Sequence, residues 1–325
     1  IHNDQIEIRP ADHLWGRDVA DVEVAIRSEL REEKLRVSQC GIAGEKLGLM
    51  ANVINDYSRA AGRNGLGAVM GSKKLKAIVL HGTGSVPVAD VDGYRKAGMA
   101  LYKACKDADN LKEWTRYGTT IVVSWCDEVG ALPTRNFSAG SFEGGKTLYG
   151  PVMREQIVIT DKGCFGCPCP CGKYSNLKRY GTQVEGPEYE TIGMLGSDVG
   201  LSDIQDVAQA NLLCDDLGID SISAGGCIAW AMEAYEKGIL TKEDTDGLEL
   251  KFGNVEAVFS VIRKIAARDG KLGALLAEGT KRAALKVGKG SADYAIQIKG
   301  MEQSAYAIHN ATAMLISYMT CDVGA

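Results

Sequence analysis

Four cysteines fall within eight residues, in the run Cys164-Phe165-Gly166-Cys167-Pro168-Cys169-Pro170-Cys171, and no other stretch limits the fold as tightly. Sulfurs packed this closely are poor candidates for four separate core positions. They suit a soft-ligand site for zinc or an iron–sulfur cluster, or a disulfide. The glycine and two prolines between them favour a tight non-helical loop, on which successive thiols turn toward one centre. The spacing C-x2-C-x3-C through Cys164, Cys167 and Cys171 leaves Cys169 spare. Three ligands from one loop with a distant fourth is a common way to hold a cubane cluster. A zinc knuckle needs a further Cys or His, and His2, His13, His81 and His309 are all far apart in sequence. Iron–sulfur is the favoured reading, with zinc and an unmetallated or disulfide-bonded loop as the alternatives.

The other six cysteines (Cys40, Cys105, Cys126, Cys214, Cys227 and Cys321) are scattered, which is not the density of a small disulfide scaffold. This usage points to a reducing compartment, and the cytoplasm is expected. A length of 325 residues allows two or more domains. The net charge of −5, with no long Lys/Arg run, gives no electrostatic reason to expect nucleic acid. No apolar run approaches the roughly 18 residues of a membrane span. The chain opens at Ile1 without a methionine and stops at Cys321-Asp322-Val323-Gly324-Ala325 in mid-element, and a piece of a longer chain is expected.

Hydropathy patterning divides the chain. Residues 1–85 read as mixed and strand-rich. Ile6 and Ile8 alternate with polar residues, Lys76 to Leu80 is a short apolar run, and Asp18 to Glu33 is helical in period. The Gly82–Pro87 stretch is a plausible linker. Helices are expected at 94–106 and 119–128, and then from Ser202 as N-cap to Gly218 as stop. Further helices are expected over 226–236, around Val255–Ala266, and over 272–287. The expected fold is α+β: a partial strand-rich domain at 1–85, a mainly helical domain at 86–300, and the start of a third at 301–325.

Three further stretches bear chemistry. Arg59-Ala60-Ala61-Gly62-Arg63-Asn64-Gly65-Leu66-Gly67-Ala68-Val69-Met70-Gly71-Ser72-Lys73 combines glycines, whose backbone N–H groups can cradle an anion, with arginines for charge-assisted bonds. A surface turn of solvated charges is an equal reading of this stretch alone, which misses the nucleotide P-loop spacing. Asp215-Asp216-Leu217-Gly218-Ile219-Asp220-Ser221-Ile222-Ser223 puts carboxylates beside the free carbonyls of a helix end. That acceptor-rich surface suits the donor edge of a heterocycle such as a pterin, although a solvated turn is the blander alternative. Glu185-Gly186-Pro187-Glu188-Tyr189-Glu190 clusters carboxylates that can raise one another's pKa, or simply form an acidic loop.

Together, and in this order, these stretches and the cysteine spacing resemble the tungsten-dependent aldehyde:ferredoxin oxidoreductase family, over nearly the whole chain. The resemblance implies tungsten held by two pterins (a bis-pterin tungstopterin) beside a [4Fe–4S] cluster, with Mg2+ bridging the pterin phosphates. It implies oxidation of an aldehyde to a carboxylic acid, with electrons leaving through the cluster to ferredoxin or an electron-transfer subunit. Arg59 is expected between pterin and cluster, the Ala60 carbonyl near the magnesium, and Gly62 in the same cofactor-binding turn. Asp215, Gly218, Ile219 and Ser221 are expected to line a pterin, with Asp220 supporting the turn. Cys164, Cys167 and Cys171 would ligate the cluster, and Glu190 would handle a proton near tungsten. A Glu-x-x-His pair that binds a subunit-bridging iron in some family members is replaced here by Gln209 and Leu212, so a homodimer would need other contacts. The family's opening segment is expected before Ile1, and its second aspartate turn, a catalytic histidine and the fourth cluster cysteine beyond Ala325. An acyl-CoA-reducing relative, the tungsten subunit of class II benzoyl-CoA reductase, is the alternative enzyme. A non-catalytic metal-binding scaffold is the alternative outside catalysis.

Overall fold

The computed structural model describes residues 1–325 as a mixed α/β chain built on three small antiparallel sheets and fourteen α-helices. Its first part runs α1 (Val19–Leu30), β1 (Arg36–Cys40), α2 (Ile42–Glu45), β2 (Val53–Asn55), β3 (Arg59–Ala61), α3 (Leu66–Ser72) and β4 (Ala77–Leu80). The strands form one sheet in the order β3-β2-β1-β4. Val22 and Ile26 of α1 pack with Leu14, Leu35 and Val37 into a small core on one sheet face. Two buried polar residues there find partners, although Gln39 Oε1 has none. Gln39 Nε2 donates to Val19 O at 3.0 Å, and Glu23 pairs with Arg27 at 2.5 Å while accepting from Tyr57 N at 2.8 Å.

The alternation around Ile6 and Ile8 does not make a ladder strand: both side chains are exposed, at 75% and 94%. Alternation specifies a strand only where one face has something to bury against. Here the segment meets the sheet edge at its first residues, through Ile1 N to Val79 O at 2.7 Å and the isolated bridge His2–His81.

The glycines of the 59–73 motif have a packing role that sequence reading missed. A Cβ on Gly71 would sit 1.9 Å from Gly44 O, one on Gly67 2.2 Å from Asn52 O, and one on Gly44 2.6 Å from Gly67 O. Helices α2 and α3 therefore cross with their backbones in contact.

The second part continues with α4 (Val91–Asp107), α5 (Asn110–Tyr117), α6 (Ile121–Val129), α7 (Gly150–Gln156), β5 (Val158–Lys162), β6 (Gly172–Leu177) and β7 (Thr182–Glu185). Then follow α8 (Tyr189–Leu195), α9 (Ile204–Leu217), α10 (Ser221–Glu236), α11 (Val255–Ala267), α12 (Gly270–Leu276) and α13 (Thr280–Val287). The hairpin β8 (Gln297–Ile298) and β9 (Met301–Glu302) and helix α14 (Thr312–Thr320) complete the order. Helix α10 is the axis of the main core. It is buried continuously from Ser223 to Met232, and Trp230 Nε1 donates to Ser291 O at 3.0 Å. Ala43, Met50 and Ala51 join this same core, so the first part is packed into the second.

Several boundaries differ from expectation. Asp203, not Ser202, caps α9, because its carboxylate reaches Gln205 N at 2.8 Å. Gly218 does end α9, in the left-handed conformation at φ +71°. Helix α10 starts at Ser221 instead of 226, because Asp220 caps it and Gly225 and Gly226 are buried contact points and not breaks. The 272–287 helix is two, α12 and α13, divided at Gly279, where φ is +82°.

The sheet β5-β6-β7 lies inside the region expected to be mainly helical. Its inward face carries polar residues, which hides the period-two signal. Buried Lys173 donates to Thr115 O at 2.8 Å and Pro170 O at 3.1 Å and pairs with Asp161 at 3.1 Å, and buried Ser175 donates to Gly186 O at 2.8 Å. No helix is long and apolar enough to cross a membrane.

Candidate functional site

The aspartate turn between α9 and α10 is fixed by the chain segment before β2. Ala51 and Ile219 form an antiparallel bridge, Asn52 N donates to Gly218 O and Asp220 N to Met50 O, each at 3.0 Å. Glycine is required at 218 twice over, by its positive φ and because a Cβ would meet Gly41 N at 2.8 Å. Beside it the buried Asn52 Oδ1 has no hydrogen-bond partner. Asp220 caps α10 through Ile222 N at 3.2 Å and Ser223 N at 3.3 Å. Ser221 Oγ lies 2.9 Å from Thr191 Oγ1, which joins α10 to α8.

Asp215 faces into this region. Burial pushes its carboxyl well up, neighbouring Asp216 and Glu185 push the same way, and Asn211 Nδ2, donating at 2.9 Å, offsets part of the rise. Asp216 is raised to about 6 by burial and then by Asp18 and Asp21. These acceptors stand where a helix end already presents its carbonyls.

Arg63 was read in the sequence only as part of a motif, yet it links the three segments. Its guanidinium meets Asp220 Oδ2 at 3.3 Å and donates to Glu302 O and Ala325 O, each at 2.5 Å. Nothing but the second arginine of a glycine-rich run marked it beforehand. A cavity of about 530 Å³ opens here, with Met50, Asn64, Asp220, Ser223 and Glu302 among its walls.

Glu190 lies in the first turn of α8 and accepts from Ala305 N at 2.8 Å. Burial raises its carboxyl, while that N–H and the charge of Arg63 pull it back down. Tyr189 and Tyr306 pack beside it with ring centroids 5.2 Å apart, and both phenols are raised by burial. Tyr189 OH donates to Ala305 O, so the carboxyl and its neighbouring phenol hold the N–H and the C=O of the same residue.

The cysteine loop joins β5 to β6. All four of its thiols are free: Cys164 and Cys167 are exposed, Cys169 and Cys171 partly so. Burial first, then Glu188, and then the neighbouring Cys164 and Cys167 thiols raise the Cys171 thiol. These sulfurs are neighbours without meeting at one point, since no three His, Cys, Asp or Glu side chains gather at ligand geometry. Arg59 stands at the foot of the loop, its Nη2 3.1 Å from the place a Cβ on Gly172 would take, and it pairs with Glu185. Glu185, with its side chain 8% exposed, also pairs with Lys162 and accepts from Ser58 Oγ at 2.9 Å. Ala60 is exposed on the sheet-edge strand β3, and Gly62, two residues on, is half-buried, where an added Cβ would meet only Ala60 Cβ at 4.0 Å.

The structure thus brings Arg63, Asp220 and Glu190 into one neighbourhood, and Arg59 to the base of the thiol loop. The chemistry of the two donor sets fits the groups implied above. Free, adjacent thiols suit soft metal, and an unpartnered amide oxygen beside desolvated carboxyls suits a ligand edge rich in N–H donors.

Comparison with known proteins matches residues 1–82 to the family model of the aldehyde ferredoxin oxidoreductase N-terminal domain, and residues 96–325 to that of domains 2 and 3. A tungsten-containing aldehyde ferredoxin oxidoreductase of Thermococcus kodakarensis is 40% identical over 326 aligned residues, covering 100% of this chain and 53% of the relative. An aliphatic sulfonate oxidoreductase, WOR-like subunit, of Pyrococcus furiosus is 31% identical, covering 95% of this chain and 50% of the relative. The chain therefore spans about half the length of the curated relatives it matches. Among solved structures, the active site complex BamBC of benzoyl coenzyme A reductase in complex with 1,5-dienoyl-CoA superposes with a TM-score of 0.80 at 27% identity, covering 94% of this chain and 48% of that one.

Proposed function

This chain belongs to the aldehyde ferredoxin oxidoreductase family, and from that premise we propose that it carries tungstopterin and a [4Fe–4S] cluster and oxidises aldehydes to carboxylic acids, passing electrons to ferredoxin. The observation that carries the reading is the meeting of Asp220 of the aspartate turn, Arg63 and Glu190, from three motifs far apart in sequence, with Asp220 also lining the neighbouring cavity. Bound tungsten–pterin and cluster would supply two-electron chemistry and a one-electron outlet. Aldehyde and water give carboxylic acid, two protons and two electrons.

The protein's part is placement and proton handling. Asp215, Gly218, Ile219 and Ser221 would offer the acceptor surface of a pterin site, and Asp220 holds that turn as a helix cap. Arg59, Ala60 and Gly62 would serve the phosphate and magnesium side, with Arg59 nearest the thiols. Cys164, Cys167 and Cys171 would hold the cluster. Glu190 is suited to take up a proton released from substrate or water, because burial has already raised its proton affinity.

A second reading, a subunit of a benzoyl-CoA reductase-like complex, is supported by the structural match and by Gln209 and Leu212 standing in for the bridging-iron pair. Gln209 is instead engaged by Thr182 Oγ1 at 2.9 Å. Anaerobically purified protein should contain tungsten together with iron and sulfide, and reduce viologen when given an aldehyde. Zinc alone would leave a structural scaffold. Activity seen only with added partner subunits and an acyl-CoA would favour the second reading.

A further inference from the structure

We propose that Tyr189 is a positioning residue for Glu190: its phenol, backed by the Cys126 thiol, fixes residue 305 so that the Ala305 N–H stays on the Glu190 carboxyl. The inference rests on the proton role given to Glu190 above. Neither Tyr189 nor Cys126 belongs to the thiol loop, the aspartate turn or the arginine motif, yet both are buried, at 3% and 0% exposed.

Counting protons orders the contacts. Tyr189 Oη lies 3.0 Å from Cys126 Sγ and within hydrogen-bond reach of Ala305 O. A phenol carries one proton and a carbonyl oxygen only accepts, so the Tyr189 proton goes to Ala305 O. Cys126 S–H is then the donor to the phenol oxygen. Burial pushes that thiol up to about 11 and keeps its proton in place. One line of donors therefore runs from Cys126 through Tyr189 to Ala305, whose own N–H reaches Glu190 Oε2 at 2.8 Å.

Packing confines residue 305 as well. Ala305 is fully buried, and a Cβ on Gly193, one turn after Tyr189 in α8, would stand 2.5 Å from Ala305 Cβ. Two residues on, Ala307 N donates to Ala131 O at 2.8 Å. The first turn of α8 does not depend on the phenol, because Tyr189 N is held by Thr119 Oγ1 at 2.9 Å. Removing only the hydroxyl leaves a buried carbonyl without its partner, which loosens the segment around it. The Glu190 carboxylate then loses the N–H that favours its charged form, and its proton affinity rises.

The charged and titratable groups facing Glu190 are Arg63, Asp220, Tyr306 and Tyr318. Tyr189→Phe alters none of them and keeps the ring that packs on Tyr306. In the holoenzyme, infrared difference spectra against Glu190→Gln isolate the Glu190 carboxyl band, whose pH midpoint can be followed. Tyr189→Phe should raise that midpoint by about one pH unit and speed amide exchange over residues 303–307 about tenfold. Its kcat should fall with KM unchanged. Cys126→Ala should move the midpoint the same way by less, whereas Cys126→Ser, which keeps a donor there, should leave it in place. A midpoint and an exchange rate both unchanged in Tyr189→Phe would overturn the positioning role, and equal midpoints in the two Cys126 variants would remove the thiol from it. A raised midpoint with unchanged turnover would support the coupling and overturn the proton role of Glu190 instead.

Discussion

Asp198 is the most perturbed acid outside the candidate site, and its state follows from its surroundings. It is fully buried, its Oδ1 accepts from Phe137 N at 2.9 Å, and its Oδ2 has no partner. Burial is the dominant cause of its rise to about 8, which the Phe137 and Asn136 N–H groups only partly offset. A proton on Oδ2 is consistent with both facts. The folded chain then holds a proton that the unfolded chain gives up near pH 3.9, so stability falls as pH rises from about 4 to about 8 and levels off above that. The slope from this one group reaches at most about 1.4 kcal/mol per pH unit. Urea midpoints across that range should show the decline in the wild type and a flatter profile in Asp198→Asn. Glu190 calls for a different experiment. Gln at 190 keeps an oxygen for Ala305 N but loses the ability to exchange a proton, so Glu190→Gln should abolish turnover with tungsten content unchanged. Unchanged turnover would remove Glu190 from the mechanism. The sequence identified this carboxylate, but not Arg63, whose importance comes from where β8–β9 and α10 lie, and neither is adjacent in sequence.

Among elements, the ones with regular period and clear stops were legible: α9 to its Gly218 end, α11 to its core face, and α4 nearly to its bounds. What escaped was structure held by polar groups or by backbone contact. The β5-β6-β7 sheet buries Lys173 and Ser175, so hydropathy gives it no alternating signature. The glycine-rich motif suggested anion binding, yet Gly67 and Gly71 are also fixed by the α2–α3 crossing. Gly71→Ala would place a methyl against the Gly44 carbonyl, which no rotamer can relieve, and should cost about 1–3 kcal/mol. Gly98, inside exposed α4, has nothing within 4 Å of a Cβ. There the same substitution should stabilise by about 0.5–1 kcal/mol, and denaturant midpoints of the two variants should move in opposite directions.

Across the whole molecule, the first part shares the main core with the helical part, and at the candidate site the two are also joined by polar contacts: the Ala51–Ile219 bridge, the Arg59–Glu185 pair and the contacts of Arg63. Arg63→Met removes the side chain that holds the Glu302 carbonyl against the Asp220 turn. Hydrogen exchange should then speed up around residues 301–307, while the α11 amides, which Arg63 does not touch, keep their protection. Equal acceleration in both would mean that the substitution loosens the entire fold. The pairing of residues 50–52 with 218–220 also bears on biosynthesis. A chain leaves the ribosome amino end first, so the Ala51 edge waits for its partner until the 218–220 turn has been made. No receptor for a heterocyclic ligand is complete before that turn has been made, so occupancy of this site must follow synthesis of residues 218–220.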